Sequence, residues 1–563
     1  MTTAPPRPAT TPDDHRAGAT TPDASPRQAK SIDAARRDDG GGHPAQSFRR
    51  AWRWWLPVVL LALALALLFV DPFAGDWDAL DYTVLALRGE PSTMLFGRML
   101  FIFTNHFAYR LAHALFGLAP EHAYLLFKYM VVCEAPLVVA TFWVLARDLT
   151  RDVRAATLAA LMLALSPFFV LYSGQAMTEI PSLLLLAGAL TVHLRGLRKR
   201  SAWLVLAGAA LLGLGNNVRE VAALYGVWLV VGPFACGWRF GRRELALVAL
   251  SCALFFVCAF APFLYFYLGD VGGYRGGWHG WVASMHSEES VHPITVSNFV
   301  PLLVFFFIAS PLALVALPAA ALGEWRARGF TPLLVLACVG VFANLMLFTH
   351  YSTVINGRYM LTGLPGVIPL AADFFVRYES RRRRSPARGF RFAAAGVVCT
   401  ALLFFAAFFP MSWPTVEGHG LTKAYRGRLA LLPEDAVVIA GGQTVSVNYY
   451  RGIGLGRWDV VGTGGGWPTG RLAEVVGAHL RAGRRVFLDT DPRLWYTDAW
   501  RGQETRELVA LAGRFRFRRV AENLHEVRPP DDATARDEPD FQRLLEKPPS
   551  RLQKLGKFAG GRN

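Results

Sequence analysis

The chain has 563 residues, of which 53% are hydrophobic and only 18% are charged. So apolar a composition over this length excludes an ordinary soluble domain and indicates a membrane protein. The formal net charge is +17, but Lys and Arg lie in short clusters between apolar runs, as in cytoplasmic loops. The sequence therefore predicts membrane lipids as a partner and no binding of nucleic acid.

The first 50 residues are rich in Pro, Ala, Thr, Asp and Arg and contain almost no residue that could build a core. Such a segment cannot bury enough surface to offset the entropy lost on ordering, so we expect a disordered cytoplasmic tail over 1–50. The apolar run 52–70 follows directly and has no convincing signal-peptide cleavage site. We expect it to be retained as the first membrane span.

Ten further apolar segments approach the roughly 20 residues that cross a bilayer, so the sequence predicts an α-helical polytopic protein with about eleven transmembrane helices in a domain over 51–410. Their connections alternate in charge, and every second one is basic, as in RGLRKRS (195–201). With the N-terminus in the cytoplasm, every basic connection lies on the cytoplasmic face, as the positive-inside rule requires. The predicted spans are 52–70, 125–146, 155–173, 178–195, 202–216, 219–235, 245–268, 298–321, 331–349, 359–377 and 391–410.

This topology, in the plasma membrane, places the long loop 71–124 and the C-terminal segment outside the cytoplasm. In that segment, AVVIAGG (436–442) and RRVFLDT (484–490) are typical of short buried strands, and helical periodicity lies between them. We therefore expect a small extracytoplasmic α/β domain over 411–530. The tail 531–563 is rich in Pro, Lys and Arg and is predicted to be flexible.

The first outer loop concentrates carboxylates close to the predicted membrane surface, and these are Asp71, Asp76, Asp78 and Asp81. A carboxylate in this place could act as a general base that takes a proton from an acceptor hydroxyl or amine. Solvated residues of a juxtamembrane loop are the alternative interpretation. The segment 96–116 follows with apolar residues at helical spacing, and it could lie in the plane of the interface.

Four residues after the first span form the pattern Asp-x3-Tyr-x3-Ala-x2-Gly, and they are Asp78, Tyr82, Ala86 and Gly89. NNVREV (216–221) puts a basic residue at the outer start of a later span, and GRYMLTGLPGVIPLAADFF (357–375) opens another. In this order the motifs of about residues 50–410 resemble those of GT-C superfamily membrane glycosyltransferases, similar to protein O-mannosyltransferases and aminoarabinose transferases.

The resemblance implies an inverting glycosyltransferase that moves a hexosyl or pentosyl group from a polyprenyl-phosphate donor. The acceptor would be a glycan, lipid or protein of the cell envelope on the extracytoplasmic face. Asp78 is implied as the general base. The family often has Asp-Glu where Asp78 is followed by Ala79, so Asp76 is the candidate for the second acid.

Arg219, Arg358, Glu179 and Tyr82 are the predicted substrate-binding residues. The two guanidinium groups could bind the leaving phosphate bidentately, although anchoring at lipid headgroups is the competing interpretation for each. Glu179 begins the fourth span, where it could bind a sugar hydroxyl or cap its helix. With Asp78 it could also hold a divalent cation, but two carboxylates do not specify a metal, and no other cofactor is expected.

Two other classes of protein are compatible with the composition. A secondary transporter or lipid flippase would favour internal repeats, broken helices and ionisable groups near the bilayer midplane, whereas the acids here concentrate in the first outer loop. If the chain were a non-catalytic membrane scaffold that displays the C-terminal domain, Asp78 and its neighbours would have no function.

Overall fold

A computed structural model describes most of the chain, and the statements that follow concern the residues it describes. These are residues 44–70, 77–93, 98–285, 296–350, 357–412, 423–440, 444–462, 470–491, 501–532 and 539. Asp76, most of the predicted cytoplasmic tail and most of the predicted C-terminal tail lie outside them. The chain divides into two compact units, residues 1–52 and 53–563.

The described residues are mostly helical. In chain order the helices before the C-terminal segment are α1 Pro44–Leu68, α2 Trp77–Arg88, α3 Met99–Phe116, α4 Ala123–Thr150, α5 Val153–Ala164, α6 Pro167–Ser173, α7 Glu179–Lys199, α8 Ala202–Asn216, α9 Val227–Ala235, α10 Arg242–Gly269, α11 Tyr274–Met285, α12 Val296–Ala309, α13 Pro311–Arg328, α14 Pro332–His350, α15 Leu364–Arg382 and α16 Pro386–Ser412. Short 3-10 segments are Pro120–His122, Glu220–Gly226, Val271–Gly273 and Gly357–Thr362.

Four helices of the described part are long and apolar enough to cross a membrane, and these are Pro120–Thr150, Glu179–Lys199, Arg242–Gly269 and Pro386–Ala406. Two bent pairs, α5 with α6 and α12 with α13, raise the number to six if each pair is one span. Shorter apolar helices lie in α1, α8, α14 and Glu220–Ala235. Each predicted span is helical, but the predicted number of eleven is not confirmed.

The two bent pairs break at the same dipeptide, Ser-Pro. The chain bends by 62° between α5 and α6, at Ser166 and Pro167, and by 104° between α12 and α13, at Ser310 and Pro311. Proline disfavours helical geometry in the residue before it and cannot donate a backbone hydrogen bond, which explains both breaks. Residues at both breaks line one cavity, together with residues of α16 such as Phe404.

Consecutive helices run back and forth, so their ends collect in two groups. Where α4 and α7 end, Nε of Arg195 lies 2.5 Å from Oδ2 of Asp148. Where α13 ends, Oε2 of Glu324 accepts a hydrogen bond from Nη1 of Arg377. Between the two groups of ends, α7, α8, α14 and their neighbours share an apolar core that includes Leu190. The group that contains the start of α7 and the end of α8 is called the site end below.

Five short strands form one sheet in the order β2-β1-β3-β5-β4. They are β1 Val437–Ile439, β2 Asp459–Val461, β3 Val486–Asp489, β4 Arg516–Ala521 and β5 Leu524–Arg528. β1 runs parallel to β2 and β3, whereas β5 runs antiparallel to β3 and β4. The intervening helices are α17 Thr444–Gly452, α18 Arg471–Arg481 and α19 Arg501–Ala512. The small sheet is confirmed, and the domain boundaries 411 and 530 stay a prediction.

The helix that follows β1 lies directly against α2. Gly452 of α17 approaches Val84 of α2, because a Cβ added there would lie 3.6 Å from the valine side chain. Tyr449 of the same helix meets Tyr124 of α4 edge to face, with ring centroids 6.0 Å apart. The C-terminal segment therefore packs on the helix that carries Asp78.

Candidate active site

The predicted Asp-Tyr-Ala-Gly pattern forms one buried face of α2 and its C-terminal end. Asp78, Tyr82 and Ala86 recur every four residues, so they lie on one side of the helix, and all three are buried. Gly89 ends the helix with φ +71°, and a Cβ there would lie 2.9 Å from the His106 ring. That ring donates through Nδ1 to the Ala86 carbonyl at 2.7 Å. The spacing thus serves both the site and the docking of α3 on α2.

Four of the predicted site residues meet in one ion-pair network. Nη1 of Arg358 donates to Oδ2 of Asp78 at 2.6 Å. Nη1 of Arg219 lies 2.5 Å from Oε1 of Glu179, and Nε of Arg358 lies 3.6 Å from the same oxygen. All four residues are buried. The first turns of α2 and α7, the segment before α15 and the segment after α8 therefore converge at the site end.

A second ion pair and a set of rings close the network. Nη2 of Arg98 donates to Oε1 of Glu220 at 3.4 Å, and the Arg98 guanidinium lies 5.2 Å from the Tyr82 ring. The Arg219 guanidinium lies 4.7 Å from the Tyr359 ring. Such cation–π contacts stabilise buried guanidinium groups without consuming their hydrogen-bond donors.

The two acids of α2 differ in their electrostatic surroundings. Burial opposes ionisation of Asp78, but the positive charges of Arg358 and Arg98 outweigh it and hold the pKa of that carboxyl below its ordinary value. For Asp81, burial and then the Asp78 charge raise the pKa to about 7. Asp78 is therefore an ionised carboxylate at neutral pH, whereas Asp81 titrates near neutral pH.

Several polar atoms of the site face no partner within the described residues. They include the Tyr82 hydroxyl, Oε2 of Glu179 and Nε of Arg219. A small cavity adjoins Glu179 and Arg219 and is also lined by Thr362. Buried polar atoms without partners carry a free-energy cost that a bound ligand could relieve. The arrangement therefore suits a polar ligand.

The structure brings together Asp78, Glu179, Arg219 and Arg358, with Tyr82 alongside. All four are buried in ion pairs, whereas a solvated loop or an anchor at lipid headgroups would leave such charges exposed. Glu179 also lies in the first turn of α7, where its charge is favourable at the helix N-terminus. Asp76 lies outside the described residues. The functions assigned to these side chains stay predictions.

Arg98, Glu220 and Tyr359 also belong to the cluster, and sequence reasoning gave them no role. Glu220 and Tyr359 are the direct neighbours of Arg219 and Arg358, so the same two motifs could have indicated them. Arg98 had no such signal. It lies just before α3 in a left-handed conformation, with φ 45°, which the sequence does not reveal.

The predicted cation site was restricted to Asp78 and Glu179. Within the described ranges, no three His, Cys, Asp or Glu side chains converge closely enough to hold a metal ion. Both carboxylates engage guanidinium groups instead. Hard divalent cations take six or more oxygen ligands, so two carboxylates would need waters or a bound phosphate to complete the shell.

Several known proteins are similar to this chain in sequence or in structure. The model of the family described as dolichyl-phosphate-mannose-protein mannosyltransferase matches residues 103–266. None of the curated proteins matches the sequence significantly. ArnT from Cupriavidus metallidurans bound to undecaprenyl phosphate is similar in structure, with TM-score 0.56 and 15% identity over 86% of this chain and 100% of that one.

Two further solved structures share the fold. Apo ArnT from the same organism has TM-score 0.52 and 15% identity over 85% of this chain and 98% of that one. The apo oligosaccharyltransferase of Archaeoglobus fulgidus has TM-score 0.50 and 14% identity over 83% and 73%. The resemblance to GT-C superfamily membrane glycosyltransferases is confirmed, and the chain is an α-helical membrane protein with the GT-C fold.

Proposed function

We propose that the chain is an inverting glycosyltransferase that moves a sugar from a polyprenyl phosphate to an acceptor on the extracytoplasmic face of the membrane. The observation that carries this proposal is the pairing of Asp78 with Arg358 at 2.6 Å across 280 residues of sequence. Glu179 and Arg219 adjoin the pair. A carboxylate and two guanidinium groups at one point are the groups that glycosyl transfer from a phosphate requires.

In this mechanism the Asp78 carboxylate accepts the proton of the acceptor hydroxyl as its oxygen attacks the anomeric carbon. The bond between that carbon and the donor phosphate oxygen breaks, and its electron pair leaves with the phosphate. Attack from the side opposite the leaving group inverts the anomeric configuration. A positioned general base contributes about 10²–10⁴-fold to such a step.

The leaving phosphate gains negative charge during the reaction and needs fixed positive charge beside it. Arg219 and Arg358 supply two guanidinium groups that are already buried and oriented by Glu179 and the Tyr359 ring. Groups held in place in a water-poor site stabilise developing charge more than the same groups in water. The Tyr82 hydroxyl is proposed to donate to a sugar or phosphate oxygen, and Oε2 of Glu179 to accept from a sugar hydroxyl.

The similarity to ArnT bound to undecaprenyl phosphate supports a polyprenyl chain as the donor's lipid part. The test is release of lipid phosphate when the purified chain in lipid nanodiscs is given a panel of polyprenyl-phosphate hexoses and pentoses with mixed acceptors. We expect release from at least one donor. If no donor is turned over while undecaprenyl phosphate still binds, glycosyl transfer is wrong and a lipid-binding function remains.

The extracytoplasmic placement is supported by the charge distribution. Basic residues concentrate at the helix ends opposite the site, as in RGLRKRS (195–201), and cytoplasmic loops carry such an excess. A reporter enzyme that is active only outside the cytoplasm, fused after residue 530, should therefore be active. Activity of a cytoplasm-only reporter at the same position would reverse the proposed orientation.

A lipid flippase is the second candidate, and one observation favours it. The two Ser-Pro breaks face a common cavity that no charged side chain lines, and transporters often contain broken helices. Vesicles that carry the purified chain should not speed the movement of a fluorescent polyprenyl phosphate between leaflets if the transferase proposal is right. Acceleration above protein-free vesicles would favour the flippase.

A further inference from the structure

The six charged side chains of the ion-pair network balance one another. Three guanidinium groups, those of Arg98, Arg219 and Arg358, are matched by three carboxylates, those of Asp78, Glu179 and Glu220. The six side chains are all between 1% and 13% exposed. A phosphate that enters this cluster adds negative charge to a neutral set, in surroundings where charge is costly to bury.

Arg358 is the point at which a phosphate would compete. Its Nη1 donates to Asp78, and its Nε faces Glu179 at 3.6 Å, so both edges of its donor fork already face carboxylates. Phosphate oxygens use the same donors with the same geometry. Glu179 is also held by Arg219 at 2.5 Å. A phosphate therefore gains a strong contact with Arg358 most directly by displacing Asp78.

We propose that the donor phosphate replaces Asp78 as the partner of Arg358, so that the general base is freed only when donor is bound. This inference rests on the proposed function. In the resting state the ion pair holds Asp78 as a weak base. After the exchange the carboxylate loses the guanidinium that stabilised its charge, and its basicity rises next to the sugar. The device would protect the site from unproductive proton transfer in the absence of donor.

The exchange makes an unusual prediction for binding. Asp78→Asn removes the competitor while keeping the shape of the side chain, so the variant should bind undecaprenyl phosphate about tenfold to a hundredfold more tightly than the wild type. Binding is measured at pH 6 in nanodiscs. Asp81→Asn is the matched control, because Asp81 lies one turn away and does not pair with Arg358; its affinity should stay within about twofold.

The outcomes separate this inference from the function on which it rests. If the wild type binds the lipid phosphate and transfers sugar, but Asp78→Asn binds it equally or more weakly, the exchange is overturned and the transferase stands. If neither protein binds the lipid phosphate and no sugar is transferred, both are overturned.

A second measurement does not depend on the folding of any variant. A structure of the wild-type protein with undecaprenyl phosphate should place Arg358 on the phosphate oxygens and move Nη1 beyond about 4 Å from Asp78, outside salt-bridge distance. An intact Asp78–Arg358 pair beside bound phosphate would contradict the inference.

Discussion

Arg358 lies between the carboxylates of Asp78 and Glu179, and its planar guanidinium permits contact with both. Lysine keeps the charge but offers one compact ammonium group, which cannot reach Asp78 and Glu179 in the same way. We expect Arg358→Lys to lower kcat/KM for the donor by about 10- to 100-fold, mostly through KM, and Arg358→Gln to lower it further. Steady-state kinetics with varied donor measures this.

Arg195→Lys is the control for that substitution. Arg195 also pairs with an acid, Asp148, but at the opposite helix ends and with an exposed side chain, so donor kinetics should not change. Equal donor KM values for Arg358→Lys and the wild type would remove Arg358 from the donor site.

The ionisation of Asp81 makes the stability of the folded protein depend on pH. Its pKa rises from 3.8 to about 7 in the folded protein because of burial and the Asp78 charge. The folded state therefore holds a proton that the unfolded state has lost, and stability falls as pH rises from about 4 to about 7. Asp81→Asn removes this dependence.

The melting temperatures of wild type and Asp81→Asn, measured from pH 4.5 to pH 8, test this interpretation. The variant should gain several degrees relative to the wild type at pH 8 and much less at pH 4.5. A difference that does not change with pH would show that Asp81 ionises as it does in the unfolded chain.

The sequence predicted individual site residues better than it predicted their partners. Glu179, Arg219 and Arg358 each lie at the end of a predicted span, and Asp78 lies in the loop after the first span; a charge at such a place stands out in an apolar chain. Which acid pairs with which arginine depends on the packing of helices that are far apart in sequence, and no local pattern encodes it. Arg98 lacked even a positional signal.

At the scale of elements, the end of α2 depends on Gly89. Gly89→Ala places a Cβ 2.9 Å from the His106 ring in a left-handed backbone, so the ring must move and its bond to Ala86 weakens. Gly117→Ala at the end of α3 has a similar φ, +66°, but no atom within 4 Å of the new Cβ. It is therefore the matched control for backbone strain alone.

We expect Gly117→Ala to cost about 1 kcal/mol of stability and Gly89→Ala about 1–3 kcal/mol more, with reduced turnover. Chemical denaturation in detergent micelles and lipid-phosphate release measure the two effects. Equal losses in both variants would mean that the contact with His106 contributes nothing.

The helix breaks show where prediction from apolar runs fails. Hydropathy treats 155–173 and 298–321 as uninterrupted spans, because Ser and Pro within an apolar run barely change its mean. The Ser-Pro dipeptides at 166–167 and 310–311 were nevertheless visible signals for a break. Helix existence was thus predictable from composition, whereas continuity depended on backbone sterics at two positions.

At the scale of the whole molecule, the C-terminal segment packs against α2, the helix that carries Asp78. Tyr449 is 4% exposed and packs on Tyr124 of α4, and Gly452 of the same helix, α17, approaches Val84 of α2. Tyr449→Ala therefore opens a cavity under α17 and weakens its support of α2. We expect kcat to fall about three- to tenfold with a smaller change in donor KM, because Arg219 and Arg358 lie on other elements.

Leu431→Ala is the control for that variant, since Leu431 belongs to the same segment and is 59% exposed; its kinetics should match the wild type. An unchanged kcat in Tyr449→Ala would show that the C-terminal segment does not position α2. The sequence predicted two of the five strands of this segment, β1 and β3, from local apolar runs. It could not predict the contact with α2, because the two surfaces are more than 300 residues apart and share no periodic pattern.

The rate at which Asp78→Asn releases lipid phosphate from a donor that the wild type uses is the most direct test of the account. Asparagine keeps the size and most hydrogen bonds of Asp78 but cannot accept the proton of the acceptor. We predict a loss of about 10²–10⁴-fold in turnover, with the protein folded and inserted, and a mild effect of Asp81→Asn. Normal turnover by Asp78→Asn would contradict the account, and Asp76 or Glu179 would then be the candidate for the general base.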